Sequence, residues 1–442
     1  MGRALLTDLY ELNMAASYLR RGMTASATFS LFVRNLPSSW GFLVACGLDG
    51  CLRFLEELRF TDEDLEYCRA LGYPEDTVRS FAALRFTGRV RAIPEGRVAF
   101  PDEPLLEVTA PLPEAQLVET YLLNQITYQT AVASKAARCR LAAPEATMVD
   151  FSFRRVHGAE ASIGVARATA IVGFAATSNV EAARRLGLQV TGTMAHSYVE
   201  AFPSELEAFR AFAEDFPERV VLLVDTYDTL RGVEHAIEVA GQLRGRGGTM
   251  AGIRLDSGDL SQFAKEARRA LDDAGLEGVR ILASGGLDEH EIAKLASAGA
   301  PVDAYGVGTK IGVAEDSPSL DSVYKLVEYD GQPVAKLSTA KATLPGPKQV
   351  WRLPGMTGDV IGLSEEAGPT EAEPLLVEVM RGGERVRSDS IADGAARFAA
   401  ELAVLPDELR ALEPGRYVVD RSPGLEELAD EVRERIRRRE LG

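Results

Sequence analysis

The sequence predicts an α/β protein: an irregular β/α barrel accompanied by a discontinuous α+β domain and a C-terminal extension. Three observations lead there. From about Ala146 onward, short apolar runs alternate with amphipathic helical stretches, in units of about 30 residues. The runs are continuously apolar rather than alternating, as expected of parallel strands buried on both faces. The chemically informative residues (Arg154, His196, Asp225, Asp256, Gly285 and Gly308) fall at the C-terminal ends of these runs, the rim on which β/α barrels build their sites.

Before about residue 115 the texture differs. A helix is expected over Asp8–Arg21, a strand near Ala27–Arg34, a glycine-bounded helix from Leu48 and β-rich segments from Phe86 to Thr109. The barrel runs then follow at 146–152, 187–194, 219–225, 249–257, 279–286 and 301–311. Helices are expected between them over Ser204–Phe212, Thr229–Leu243, Leu260–Ala274 and Glu289–Ala298. From Ser322 to Ser338, alternating residues read as antiparallel strands joined at Asp330-Gly331, a pair suited to a tight hairpin. The expected division is therefore 1–115 completed by about 322–362, a barrel domain over 116–321, and an extension over 363–442. The extension reads as a hairpin at Arg381–Glu384 and two charged helices, the last (Leu425–Leu441) a solvated face.

A chain of 442 residues exceeds the usual size of one domain, and 46% hydrophobic with 26% charged residues suits a globular protein with a large core. The formal net charge of −17 excludes nucleic acid and anionic membranes as partners, since both need a basic surface. If such a protein handles phosphate, it must concentrate arginine, lysine and backbone N–H groups locally. Cys46, Cys51, Cys68 and Cys139 lack metal-ligand spacing and are too sparse for a disulfide scaffold, so reduced thiols in a cytoplasmic protein are expected. Met1-Gly2-Arg3 leads into a patterned segment without a signal-peptide core, and no apolar run reaches membrane-spanning length.

Five segments carry candidate chemistry. In Gly192-Thr193-Met194-Ala195-His196-Ser197, a histidine beside small hydroxyl residues suits a general base or phosphoryl acceptor, or a structural histidine. Metal ligation is disfavoured because no second ligand stands at the required spacing. His157, His235 and His290 read as structural or solvated. In Arg254-Leu255-Asp256-Ser257-Gly258-Asp259, alternation puts Arg254 and Asp256 on one side. That pair suits a phosphate and ribose hydroxyls, or a purely structural ion pair. The glycine loops Ser284-Gly285-Gly286-Leu287 and Gly306-Val307-Gly308-Thr309 let backbone N–H groups approach an anion, as late barrel strands commonly do. Phe151-Ser152-Phe153-Arg154-Arg155 sets an aromatic face beside two cations, suited to an aromatic anion or to core packing. Spacing alone reaches a barrel enzyme for a phosphorylated sugar, and does not name the reaction.

These segments, together with Thr7-Asp8-Leu9-Tyr10-Glu11-Leu12-Asn13-Met14, Arg34-Asn35-Leu36-Pro37, Asp225-Thr226-Tyr227-Asp228 and Pro345-Gly346-Pro347-Lys348-Gln349-Val350, resemble the nicotinate phosphoribosyltransferase family from Thr7 to about Arg352. The resemblance implies a type II phosphoribosyltransferase fold and joining of nicotinate to phosphoribosyl pyrophosphate, the first step of NAD salvage from nicotinate. It implies ATP as co-substrate, Mg²⁺ carried by substrate with Asp256 and Asp259 as possible ligands, and a homodimer with shared sites. Tyr10 would reach the neighbouring subunit's site and sandwich the pyridine ring with Phe151. Arg154 would face pyrophosphate or the nicotinate carboxylate. Arg254 and Asp256 would hold ribose, with Ser284, Gly285, Gly308 and Thr309 at the 5-phosphate and Thr193, Ser197 and Gly286 also lining the site. His196 matches the family histidine transiently phosphorylated by ATP.

Two positions depart from the family pattern. Arg155-Val156-His157-Gly158 stands where Arg-Ala-Gln-Gly is more usual, and Met194 occupies the place of an aspartate in nicotinamide-using relatives. A thioether accepts no useful bond from an amide donor, which favours nicotinate over nicotinamide. The rivals are nicotinamide or quinolinate phosphoribosyl transfer, a catalytically silent nucleotide-binding barrel, and a barrel aldolase using Lys310. Intact Tyr10, His196, Arg254 and Asp256 weigh against the silent barrel.

Overall fold

The computed structural model describes residues 3–218, 220–337 and 343–440; Arg219, Ser338 and Leu441, which end three of the expected segments, lie outside them. The chain divides into two compact units, one of residues up to Ser134 together with Ser317 onward, the other Lys135–Asp316.

The second unit holds six parallel strands: β1 Thr147–Asp150, β2 Ala176–Thr177, β3 Val221–Leu223, β4 Gly252–Leu255, β5 Arg280–Ser284 and β6 Ala304–Val307. Their order in the sheet is β2-β1-β6-β5-β4-β3. Ile253, Leu255, Ile281, Ala283 and Val307 are fully buried, as the continuous apolar runs require. Helices α1 Ala159–Ile171, α2 Glu205–Asp215, α3 Thr229–Gly245, α4 Leu260–Asp273 and α5 Glu289–Ser297 connect them. The last four agree with expectation to within a few residues, and Ser204, Asp228, Asp259 and Asp288 cap them by accepting backbone N–H groups.

One expected strand does not form. Residues 187–194 contribute a single bridge, Val190 to Thr177, so the sheet is an open, curled half-barrel rather than a regular closed one. Gly187 ends a short helix in the left-handed conformation and Val190 is half exposed. Three polar residues and two glycines in the run leave too little apolar surface for a buried strand. The two-residue β2, which carries the neighbouring edge, had no periodic signal to announce it.

In the first unit, seven antiparallel strands lie in the order Gln332–Pro333, Ser322–Tyr329, Ser26–Val33, Pro104–Pro111, Arg89–Ala92, Val377–Arg381 and Glu384–Arg385. Both expected hairpins are present. Tyr329 pairs with Gln332 across Asp330-Gly331, whose φ values of 50° and 68° match the tight mirror-image turn, and Arg381 pairs with Glu384. Residues of the C-terminal segment thus complete a sheet begun near the N-terminus.

The helix Leu9–Arg20 is tied down by its buried Glu11. That carboxylate accepts from the Thr120 N–H at 3.1 Å, from the Thr120 hydroxyl at 2.8 Å and from the Thr7 hydroxyl. Burial outweighs these donors and pushes the Glu11 carboxyl from 4.5 up to about 7. Over that interval the folded chain keeps a proton that the unfolded chain has lost, so stability falls as pH rises through it. Glu11→Gln is expected to be more stable than the parent at about pH 8, by at most about 3 kcal/mol, with the difference vanishing below about pH 5. Urea midpoints at the two pH values measure this.

Candidate active site

The second unit's sheet delivers its polar residues to one rim. Arg254 and Asp256, two apart at the end of β4, point the same way, and the Arg254 Nη2 donates to Asp256 Oδ1 at 2.5 Å. Arg254 Nε donates to the Ser284 hydroxyl at the end of β5 (2.7 Å), and that hydroxyl donates to the same Asp256 oxygen (2.5 Å). Arg254 Nη1 reaches the Thr193 hydroxyl at 3.4 Å, and the guanidinium lies 5.3 Å from the centre of the Phe151 ring. Burial alone would raise the Asp256 carboxyl. The Ser284 hydroxyl and Arg254, with His196 beyond, outweigh it and hold the group below the usual carboxylate range.

His196 opens the short helix His196–Glu200, with its ring 40% exposed. Its Nδ1 lies 3.2 Å from the Thr226 hydroxyl and its Nε2 lies 3.9 Å from Asp256 Oδ2. An imidazole so placed, accessible and steered from both nitrogens, can act as nucleophile or as proton carrier. Asp225, just past β3, braces the same corner. Its Oδ2 accepts from the Asp256 N–H (3.0 Å) and the Ser257 hydroxyl (2.6 Å), while its Oδ1 is buried without a hydrogen-bond partner.

The two glycine loops follow β5 and β6. Gly285 has φ +93°, and a Cβ there would stand 1.9 Å from the Asp256 carbonyl oxygen, so only glycine permits this approach of loop to β4. A Cβ on Gly306 would meet the Phe151 ring at 2.5 Å, so the glycine makes the seat for that ring. Gly285, Gly286 and Thr309 are exposed on the loops, and Gly308 is half-buried. Ser284, by contrast, is only 2% exposed and its hydroxyl is engaged by Arg254 and Asp256. Its side chain bridges that pair.

The remaining expectations sort by place. Arg154 and Arg155 form an exposed turn after β1 and make no ion pair with any described residue. Ser197 is exposed beside His196. Met194 is buried in the hydrophobic cluster with Val199, Leu222 and Leu223. His235 bonds to the buried Glu205 at 2.8 Å and is structural. Tyr10 belongs to the other unit, about half exposed, its phenol held protonated by burial and by Glu119 and Glu11. Asp259 spends one carboxylate oxygen on the Gln262 N–H at 3.0 Å, capping α4. Among the described residues no group of three or more histidine, cysteine or acidic side chains is placed to hold a metal ion. A Mg²⁺ carried by substrate needs only one or two carboxylates, a role for which Asp256 and Asp259 are the expected residues. Lys310 is paired with Asp288 at 2.6 Å, which raises its pKa; an imine-forming lysine needs the opposite shift. A lysine held charged in this way does not suit the aldolase alternative.

The local sequence assigns no role to Thr226 or Ser257, and marks Asp225 only as a rim residue. Each stands next to a recognised strand end, but a hydroxyl's partner lies tens of residues away and leaves no local pattern.

Comparison with known proteins places this geometry. The model of the nicotinate phosphoribosyltransferase N-terminal domain matches residues 5–127, and that of the nicotinate phosphoribosyltransferase family matches residues 146–346. A nicotinate phosphoribosyltransferase of Mycobacterium tuberculosis is 49% identical over 420 residues, covering 94% of this chain and 90% of the relative. One from Bacillus subtilis is 45% identical over 377 residues, covering 82% of this chain and 76% of the relative. The crystal structure of human nicotinic acid phosphoribosyltransferase superposes with a TM-score of 0.87 at 32% identity, covering 96% of this chain and 99% of that one. Nicotinate-nucleotide pyrophosphorylase from Pyrococcus furiosus superposes with a TM-score of 0.76 at 25% identity, covering 91% and 95%.

Gly285→Ala tests the loop geometry. A methyl group on the Asp256 carbonyl must displace the loop by an ångström or more, a misplacement that costs about 10²-fold in turnover. The outcome expected is that loss in a steady-state assay, with far-ultraviolet circular dichroism unchanged.

Proposed function

We propose that this chain, which belongs to the nicotinate phosphoribosyltransferase family, joins nicotinate to phosphoribosyl pyrophosphate and releases pyrophosphate, the first step of NAD salvage from nicotinate. The observation that carries the proposal is the Thr193–Arg254–Asp256–Ser284 constellation, with His196 beside it, on the rim of the parallel sheet. Arg254 and Asp256 present a fixed cation and a carboxylate kept ionised, a pair fit for a sugar bearing phosphate and hydroxyl groups. Backbone N–H groups of Gly285, Gly286, Gly308 and Thr309 receive the 5-phosphate. Arg154, exposed and unpaired, meets the nicotinate carboxylate or the pyrophosphate.

In the transfer step the pyridine nitrogen forms a bond to the ribose C1 as the bond from C1 to the pyrophosphate oxygen breaks. The electron pair departs with pyrophosphate, and positive charge gathers on the ribose ring in passing. Little covalent work falls to the protein; positioning and charge stabilisation do the rest. Mg²⁺ belongs with the substrate's diphosphate, since the described side chains offer no cage for it. Tyr10 of a second subunit stacks on the ring opposite Phe151 in a homodimer.

His196 couples ATP to the transfer through a phosphohistidine. Its ring is accessible, with the Thr226 hydroxyl 3.2 Å from one nitrogen and the Asp256 carboxylate 3.9 Å from the other. One nitrogen attacks the γ-phosphate of ATP as the bond from that phosphorus to the β-phosphate oxygen breaks and ADP leaves, and water then hydrolyses the phosphohistidine to release phosphate. Met194, apolar and buried, offers no acceptor for a carboxamide, which favours nicotinate over nicotinamide.

The test is product analysis with nicotinate, nicotinamide or quinolinate, each with phosphoribosyl pyrophosphate and Mg²⁺, with and without ATP. Nicotinate mononucleotide is expected from nicotinate, stimulated by ATP in the parent and not in His196→Ala, which also forms no acid-labile phosphoprotein. Nicotinamide should be turned over at least about 10²-fold less efficiently by kcat/KM, since a buried polar mismatch is worth some kcal/mol. Equal turnover of the two pyridines would remove the assignment of substrate.

A further inference from the structure

Beneath the two glycine loops lies a set of charges that neither substrate binding nor phosphoryl transfer uses. The loop after β5 leads to Asp288, and the loop after β6 leads to Lys310; the Lys310 Nζ donates to Asp288 Oδ2 at 2.6 Å. The other carboxylate oxygen of Asp288 accepts the N–H groups of His290 and Glu291, at 3.0 and 2.9 Å. Two of the N-terminal amides of α5 are therefore taken up by its own cap, which leaves the loop amides and the spacing of the two loops to receive an anion. Next to Asp288, the fully buried Glu289 is held by Lys135 Nζ at 2.8 Å and Arg138 Nε at 2.8 Å, and Lys135 also pairs with Asp316 at 2.9 Å. That second cluster anchors the first turn of α5 from beneath. Lys310–Asp288 is thus the side-chain link from an anchored loop to its neighbour.

We propose that Lys310 and Asp288 act as positioning residues, a strut that sets the separation of the two glycine loops and with it the affinity for the 5-phosphate of phosphoribosyl pyrophosphate. The inference rests on the reading that these loops hold that phosphate. Asp288 is mostly buried and Lys310 about one-quarter exposed, so the pair is shielded enough to couple the loops and is not a loose surface contact. The carboxylate holds the ammonium charged, and Asp288 itself lies below the usual carboxylate range: burial opposes ionisation, and Lys310 and the amide of Glu291 outweigh it. Both groups therefore stay ionised throughout the neutral range, and the strut is permanent.

Three variants test it: Lys310→Met, which keeps the side-chain volume; Asp288→Asn, which keeps the helix cap; and the double variant. Lys310→Met is expected to raise KM for phosphoribosyl pyrophosphate about tenfold, leaving kcat and KM for nicotinate within about twofold. Asp288→Asn should move the same constant in the same direction, and the double variant should be no worse than Lys310→Met, since both changes break one link. An unchanged KM in Lys310→Met, a fall in kcat instead, or additive losses in the double variant would each overturn the proposal. An improved KM in Asp288→Asn would make the lysine a direct phosphate ligand and overturn it likewise. Calorimetric titration with inorganic phosphate reads the loops without turnover. Weaker phosphate binding by Lys310→Met, in a protein whose parent turns over no pyridine, would sink the reading of the reaction and leave the strut standing.

Discussion

The site depends on one ion pair. Arg254 and Asp256 sit two residues apart on a single strand, so their side chains are forced to the same face, and the Ser284 hydroxyl from the adjacent strand bonds to both. Removing either charge would strand the other in a largely dry environment, at a cost of several kcal/mol. The triangle is stable because its three members come from adjacent strands whose register is set by the backbone ladder, Leu282 opposite Arg254. Everything nearby is arranged around it: Thr193 and Phe151 touch the arginine, His196 and the Asp225 brace approach the aspartate, and Gly285 lies against the Asp256 carbonyl.

An acidic protein that binds a highly anionic substrate has to resolve an electrostatic conflict. With a net charge of −17, the long-range field repels the substrate. The resolution is local: Arg254 spends one of its nitrogens on Asp256, Arg154 and Arg155 are exposed and make no ion pair with any described residue, and the glycine loops offer amide dipoles. Conversely, the cations that are fully matched by carboxylates, Lys135, Arg138 and Lys310, are structural.

Two small residues do as much for the geometry as the charged ones. Gly306 lets the Phe151 ring lie against β6, and Gly285 lets the loop after β5 touch the end of β4. Both act through absence of a Cβ, so their contribution is invisible in any inventory of contacts made by side chains. The same reasoning explains why a loop of low chemical complexity can be the least replaceable part of the rim.

The sequence by itself determined the alternation of strands and helices from Ala146, the two hairpin turns, and the residue types at the strand ends. Each of these is local: apolar runs of four or more residues, Asp-Gly and Gly-Gly pairs, and the two-residue repeat that puts Arg254 and Asp256 together. It also held enough ordered motifs to indicate the family. Only the tertiary structure decided that residues 187–194 form a loop with one bridge, because strand formation needs a partner edge and the run has too little to bury. Only it placed the Ser284 hydroxyl on the Arg254–Asp256 pair, Thr226 on His196 and Lys310 on Asp288. Those pairings join residues about 20 to 30 positions apart across neighbouring strands. Their cause is strand order and register, which act through space and leave no periodicity along the chain.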